Sequence, residues 1–247
     1  ALYASTPPLE ALRMVLSRAA TVDVGGSVRG IMVNDVSRAY FYAKMTRPLY
    51  IEIPSEDPKA SPGLLGRLRL CLHGTRDAAL NWQQTLSDHL VENGFVRGVG
   101  HPSVFHHSTR DIWTLVHGDD YCSAGTPADL DWMQSALAKK YEITISPRLG
   151  PGPDDAKEGT CLNRVIRWCD GRIEYEADPR QAEKLIAECG LEGAKATATP
   201  GVKCSFHEPE EDKTLEPRLC TPFRGSAARA NYLAAAASMH STPERGC

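Results

Sequence analysis

Two strand-like runs, Ile112–His117 and residues 121–124, are separated only by Gly118, Asp119 and Asp120. So short a connection admits one economical arrangement, an antiparallel β-hairpin with a polar tip, which places both aspartates at the turn. Upstream, Ile31, Met32 and Val33 form a short apolar run ending at Asn34 and Asp35, as a buried strand does. The sequence therefore predicts three carboxylates, Asp35, Asp119 and Asp120, at strand ends.

Helices are predicted around this β framework. Thr6 followed by Pro7 and Pro8 reads as a helix start, with Leu9, Leu12 and Leu16 on one face as far as about residue 20. Gly25 and Gly26 break that pattern. Residues 49–53 alternate apolar and polar side chains before a Pro-rich loop at 54–62. Trp82, Leu86 and Leu90 share a helical spacing over residues 78–93, and Gly94 stands where a left-handed cap is expected. Thr126, Pro127 and Asp129 have the N-cap, N1 and N3 chemistry of a helix running to about Tyr141. Residues 162–168 and 172–175 flank the turn dipeptide Asp170-Gly171. Asp178, Pro179 and Gln181 start a further helix that stops at Gly190, and residues 197–222 are rich in Pro, Glu and Asp and read as a linker.

At 247 residues, with 42% hydrophobic and 24% charged side chains, the chain is long enough for one substantial core and is not compositionally disordered. No apolar run of about 18 residues occurs and the N-terminus lacks the order of a secretory signal, so an intracellular, cytoplasmic or nuclear protein with no membrane partner is expected. The eight cysteines include no CxxC pair and are expected to be reduced. A net charge of -3 runs against the basic face that binders of nucleic acid usually carry.

Three carboxylates at the ends of neighbouring strands have the chemistry for two-metal phosphoryl transfer, in which hard oxygen ligands hold two magnesium ions about 3.5–4 Å apart. An Asp-Asp pair alone more often decorates a solvated turn. Its context is an ordered series of segments. Residues 34–40, Asn-Asp-Val-Ser-Arg-Ala-Tyr, are followed by 72–82, Leu-His-Gly-Thr-Arg-Asp-Ala-Ala-Leu-Asn-Trp. Next come Gly94-Phe95, residues 101–105, and His117-Gly118-Asp119-Asp120; then 162–166, 177–185 and 198–200. In order and spacing, over roughly residues 2–203, this series resembles the copia-type LTR retrotransposon reverse transcriptases: their first Asp-Val motif, "LYGLKQAPRxW", "GF...DPSLF", "YVDD", "FLGIEI", "LSQxKYIEKLL" and "STP".

The resemblance implies an α+β fold: a polymerase palm-type antiparallel sheet backed by helices, with partial fingers and a thumb-like C-terminal region. Residues 1–176 would be the palm with partial fingers, 177–196 the start of the thumb-like region, 197–222 a linker and 223–247 a degenerate helix and tail. It implies RNA-directed DNA polymerase activity. Asp35, Asp119 and Asp120 would be catalytic ligands of two Mg2+ ions, with Mn2+ as a substitute. Val36, Tyr40 and Asp77 would face the substrate, Val36 through its backbone and Tyr40 as the floor beneath the incoming sugar. The implied partners are an RNA or DNA template with primer, dNTPs, and other Pol segments such as RNase H and integrase.

The chain also departs from the pattern. Asp77 and Ala79 replace the Gln and Pro of "KQAP", His117-Gly118 replaces "YV", and nothing matches the basic finger strands that precede the palm. Asp77 also reads as the N-cap of the helix that follows it. A truncated or decayed copy, catalytically inactive or binding nucleic acid or a partner without turnover, is the alternative expectation.

Overall fold

The computed structural model describes residues 6–21, 26–170, 172–195 and 214–237. Gly25, Gly171, the 198–200 segment, the expected linker up to residue 213 and the tail beyond residue 237 lie outside the described residues. The fold is α+β, with antiparallel pairing throughout the main sheet and five α-helices among the described residues.

The first helix, α1 (Leu9–Ala20), starts two residues later than its sequence suggests. A residue that precedes proline is driven out of the helical region, so Pro7 cannot open the helix. Pro8 takes the N-cap position in extended backbone (φ -70°, ψ 158°). Strand β1 (Gly30–Val36) follows, then a 3-10 turn at Ala39–Tyr42. The ribbon of β2 (Tyr50–Glu52) and β3 (Leu65–Arg67) leads to α2 (Ala78–Glu92). Gly94 has φ +88°; its N–H donates to the Val91 carbonyl and that of Phe95 to the Leu90 carbonyl. This is the paired closure of a helix that ends on a left-handed glycine.

Strands β4 (Val96–Arg97), β5 (Val104–His107), β6 (Ile112–His117) and β7 (Asp120–Gly125) come next, then α3 (Pro127–Ala138) and β8 (Ile143–Ile145). The main sheet has the order β4-β5-β6-β7-β1-β8, so β1 is inserted beside β7 by a long-range pairing. Thr126 caps α3 by accepting from the Asp129 N–H at 3.4 Å, as the Thr-Pro-x-Asp pattern requires. Met32, Val36, Ile112, Val116 and Tyr121 of the sheet share one apolar cluster with Trp82, Leu86 and Leu90 of α2 and Leu130, Met133 and Leu137 of α3. Those two helices thus cover one sheet face. Helix α1 packs on β6, β7 and β1 through a separate set of side chains, Leu12, Val15, Leu16 and Ala19.

Strands β9 (Glu158–Cys161), β10 (Arg164–Cys169) and β11 (Arg172–Ala177) make a three-stranded sheet in the order β11-β10-β9. The strand predicted from residue 162 begins instead at Arg164. Leu162 (φ +50°) and Asn163 (φ +57°) are both left-handed and form the two-residue turn out of β9, which the sequence reading missed. Two compact units result, one running to Leu162 with Ile166–Glu174, the other comprising Asn163–Val165 and the residues from Tyr175 onward.

In the second unit, Asp178 caps α4 (Pro179–Glu188) by accepting from the Arg180 N–H at 3.0 Å. Helix α5 (Pro217–Ala237) starts six residues before the expected position, because proline is tolerated at the first helical residue, where its missing N–H has no partner to lose. Tyr232 of α5 anchors this unit: its hydroxyl donates to the Asn163 carbonyl at 2.6 Å and accepts from the Asp178 N–H at 3.1 Å. No helix among the described residues is long and apolar enough to cross a membrane.

The packing of α2 and α3 carries a prediction. Leu86→Ala and Leu130→Ala should each lower the unfolding free energy by about 2–5 kcal/mol. Val99→Ala, at a fully exposed side chain, should change it by less than about 0.5 kcal/mol. Urea denaturation followed by tryptophan fluorescence measures all three, and comparable small losses throughout would contradict a core centred on these helices.

Candidate carboxylate site

The site is built on the β6-β7 hairpin and on β1. Register runs from Trp113 opposite Ala124 to His117 opposite Asp120, leaving a loop of only Gly118 and Asp119. Gly118 has φ +62° and Asp119 does not have a positive φ, the pattern of a type II′ turn, whose twist matches that of the flanking strands. Asp120 is therefore the first residue of β7 and not part of the tip, because a two-residue loop has no room for it. Asp119 alone occupies the exposed loop.

Asp35 lies directly opposite Asp120 across the β1-β7 ladder. Cross-strand partners share a face. Their neighbours Val36 and Tyr121 belong to the helix-covered core, so both carboxylates point off the other side of the sheet. The loop is stitched to β1 by the Val36 N–H, which donates to the Asp119 carbonyl at 3.0 Å. Val36 is wholly buried and its N–H is spent inside the protein. The amide that the resemblance would turn toward a triphosphate is here the clasp holding Asp119.

Burial first, and like charge after it, shape the electrostatics. Burial, then the neighbouring Asp119, pushes the Asp35 carboxyl above the usual carboxylate range. Asp120 is pushed up by burial, then by Asp119 and Asp35, with His117 working in the opposite direction. None of the three carboxylates has a hydrogen-bond or ion-pair partner among the described residues. Unpaired anions gathered at one sheet corner fit a hard divalent cation in kind, since oxygen donors and concentrated negative charge are what Mg2+ binds. No three His, Cys, Asp or Glu side chains among the described residues converge into a closed metal cage. Asp35, Asp119 and Asp120 therefore do not, as they stand, gather closely enough to hold a metal ion by themselves.

Tyr40 falls beside this corner. Half-buried on the 3-10 turn, it lines a small cavity of about 30 Å³ together with Ala79, Trp82, Leu86, Val116 and Gly118. Its ring meets His73 edge-on at 4.7 Å between centroids. Asp77 goes elsewhere. It occupies the N-cap position of α2 without making the capping bond. Its buried carboxylate takes an ion pair with Arg47 at 3.2 Å and hydrogen bonds from Thr46 at 3.3 Å and Asn81 at 3.4 Å. Burial works to raise its pKa, but its own backbone N–H, Arg47 and Thr46 prevail and hold it below the ordinary value. Its charge is thus neutralised from within the protein.

Two features of the site escaped the sequence reading. Trp82, read as core alone, donates its indole Nε1–H to the Gly118 carbonyl at 2.7 Å. Cys161 lies with Cys122 behind Asp120; its hydrogen bond with Cys122, its burial and the nearby Asp120 push its thiol pKa up and keep it protonated. His101, His106 and His107 do not gather: His106 stacks on Trp113 at 4.1 Å, whereas His107 packs against Phe95 and Trp132.

No protein-family model matches the chain. It is similar to a putative transposon Ty5-1 protein of Saccharomyces cerevisiae, 27% identical over 113 residues that make up 44% of this chain and 37% of the relative. It is also similar to the retrovirus-related Pol polyprotein from transposon RE2 of Arabidopsis thaliana, 26% identical over 234 residues, 90% of this chain and 14% of that polyprotein. These likenesses support an origin in a retrotransposon Pol polyprotein, of which the chain spans a small part.

Two outcomes follow from the geometry. A carboxyl whose pKa is raised in the folded state supports folding below the unfolded pKa and withdraws that support as pH rises through the raised value. Asp120→Asn should consequently raise the melting temperature at pH 7, with the gain shrinking as pH falls toward about 4. A constant gain across that range would exclude the electrostatic cause. Gly118→Val should cost about 1–2 kcal/mol, because a side chain at φ +62° is strained, although an added Cβ meets nothing within 4 Å; equilibrium urea unfolding measures it.

Proposed function

We propose that this chain is the palm-centred core of a copia-type reverse transcriptase, adding deoxynucleotides to a primer 3′-hydroxyl on an RNA or DNA template. The observation that carries the reading is the placement of Asp35 opposite Asp120, with Asp119 on the adjoining loop and all three unpaired among the described residues. The retrotransposon Pol likeness supports it from a separate direction. In this reading Asp35 and Asp119 are the principal ligands and Asp120 the third carboxylate. Two Mg2+ ions, or Mn2+ in their place, would when bound activate the attacking hydroxyl and stabilise the leaving oxygen.

The protein's own part is to hold these groups in place. The β1-β7 ladder fixes two carboxylates, the Val36 amide fixes the loop that carries the third, and Tyr40 stands beside the loop as a floor for the incoming sugar. A segment such as the α4-α5 unit would serve as the thumb-like region. Basic fingers, RNase H and integrase would be supplied by other Pol segments, which also accounts for the mild acidity of this one.

The second reading is a palm that binds nucleic acid or a partner without turnover. What favours it is that, among the described residues, Asp35, Asp119 and Asp120 do not gather closely enough to hold a metal ion as they stand.

Primer extension decides between the two. The purified chain, with primer-template, dNTPs and either Mg2+ or Mn2+, should extend the primer, and Asp119→Asn should reduce extension to background. Template binding without extension, even with basic finger strands supplied, would overturn the polymerase reading in favour of the second.

A further inference from the structure

We infer that Trp82 is a positioning residue for the aspartate loop, setting its height above the sheet from the helix side. The loop has two backbone carbonyls, and each is held by a different element. The Asp119 carbonyl accepts from the Val36 N–H of β1 at 3.0 Å, and the Gly118 carbonyl accepts from the Trp82 indole of α2 at 2.7 Å. A type II′ loop supported only by its flanking strands is free to rock about the His117-Asp120 rung. A second tether from a helix outside the ladder removes that freedom.

The indole is itself immobilised. Trp82 is 1% exposed, with the Tyr141 ring edge-on at 5.3 Å and the Tyr42 ring at 6.3 Å. The helix that carries it is fixed at its first turn by the Asp77-Arg47 ion pair. Gly118 completes the arrangement: with φ +62° and no side chain, it turns its carbonyl toward α2 at no steric cost. The chain from Arg47 through Asp77 and α2 to Trp82 ends on the residue before Asp119. In its consequence for cation binding this inference rests on the proposed function; in its mechanical content it does not.

The test compares Trp82→Phe, which keeps an aromatic ring and removes the donor, with Leu86→Ala, which weakens the same helix contact but leaves the indole. Amide hydrogen exchange at His117, Asp119 and Asp120 is measured first, without any cation. Trp82→Phe should speed exchange at these amides selectively, by about tenfold, the worth of one hydrogen bond. Leu86→Ala should speed exchange across the sheet in general.

Titration with Mg2+ follows, on protein carrying 15N-labelled tryptophan. Of the four indole signals, the one missing in Trp82→Phe should shift as the cation binds, and Trp82→Phe should bind Mg2+ about tenfold more weakly than wild type. Unchanged exchange at the loop in Trp82→Phe would overturn the inference. Selective exchange with no Mg2+ binding even by wild type would uphold the positioning role and count against the polymerase reading, so the two failures are distinguishable.

Discussion

Repulsion among Asp35, Asp119 and Asp120 is the constraint that the surrounding structure has to meet. Like charges directly opposite one another on adjacent strands destabilise a sheet, and here a third carboxylate adjoins the pair. Burial on the helix-facing side offsets this cost. Val36 and Tyr121, the residues next to the two opposed aspartates, are fully buried in the apolar cluster shared with α2 and α3. The unfavourable Asp35-Asp120 rung thus adjoins residues buried in the core, and a slip of one residue would carry those residues to the opposite face. Register here is specified by packing, and the charges follow it.

Close to the site, polar groups that would oppose folding if left unpaired are tied to distant parts of the chain. Asp77, buried at the start of α2, is neutralised by Arg47, thirty residues earlier. Asp111 is held by Arg18 at 3.0 Å, by the buried Arg29 and by the Trp113 indole at 3.1 Å. Burial would raise the Asp111 pKa, but the hydrogen bond from His106 and the arginines bring it below the ordinary value. Asp77 and Asp111 are paired, whereas Asp35, Asp119 and Asp120 have no partner among the described residues. That contrast between equivalent side chains separates a structural acid from a candidate functional one, and composition does not display it.

The central strands β1, β6 and β7 of the main sheet were legible because they are short apolar runs bounded by turn chemistry. The hairpin at Gly118, the caps at Thr126 and Asp178 and the glycine stop at Gly94 are local signals, written within a few residues. Strands β8 and β9 were missed because Ile143–Ile145 and Glu158–Cys161 are too short for periodicity to register; β8 exists because β1 offers it a free edge. The left-handed turn at Leu162 was illegible for another reason, since a bulky residue rarely adopts positive φ. Within the site, the three aspartates could be placed at strand ends from local pattern, but only the resemblance singled them out from ordinary turn residues. The diversion of Asp77 to Arg47 and the spending of the Val36 amide could not be read locally, because both depend on tertiary neighbours.

The β2-β3 ribbon differs from the rest of the first unit in having no covering layer. Tyr50, Ile51 and Leu65 are all exposed, and the two strands pair only with each other. A two-stranded ribbon alone in water is at best marginally stable. Its opening free energy is therefore set locally by a few backbone hydrogen bonds, far below that of the sheet around Asp35 and Asp120. The ribbon's base is tied to the core, where the Met45 N–H donates to the Arg69 carbonyl and the Cys71 N–H to the Ala43 carbonyl, so fraying from the tip should stop at the fully buried Ala43 and Cys71.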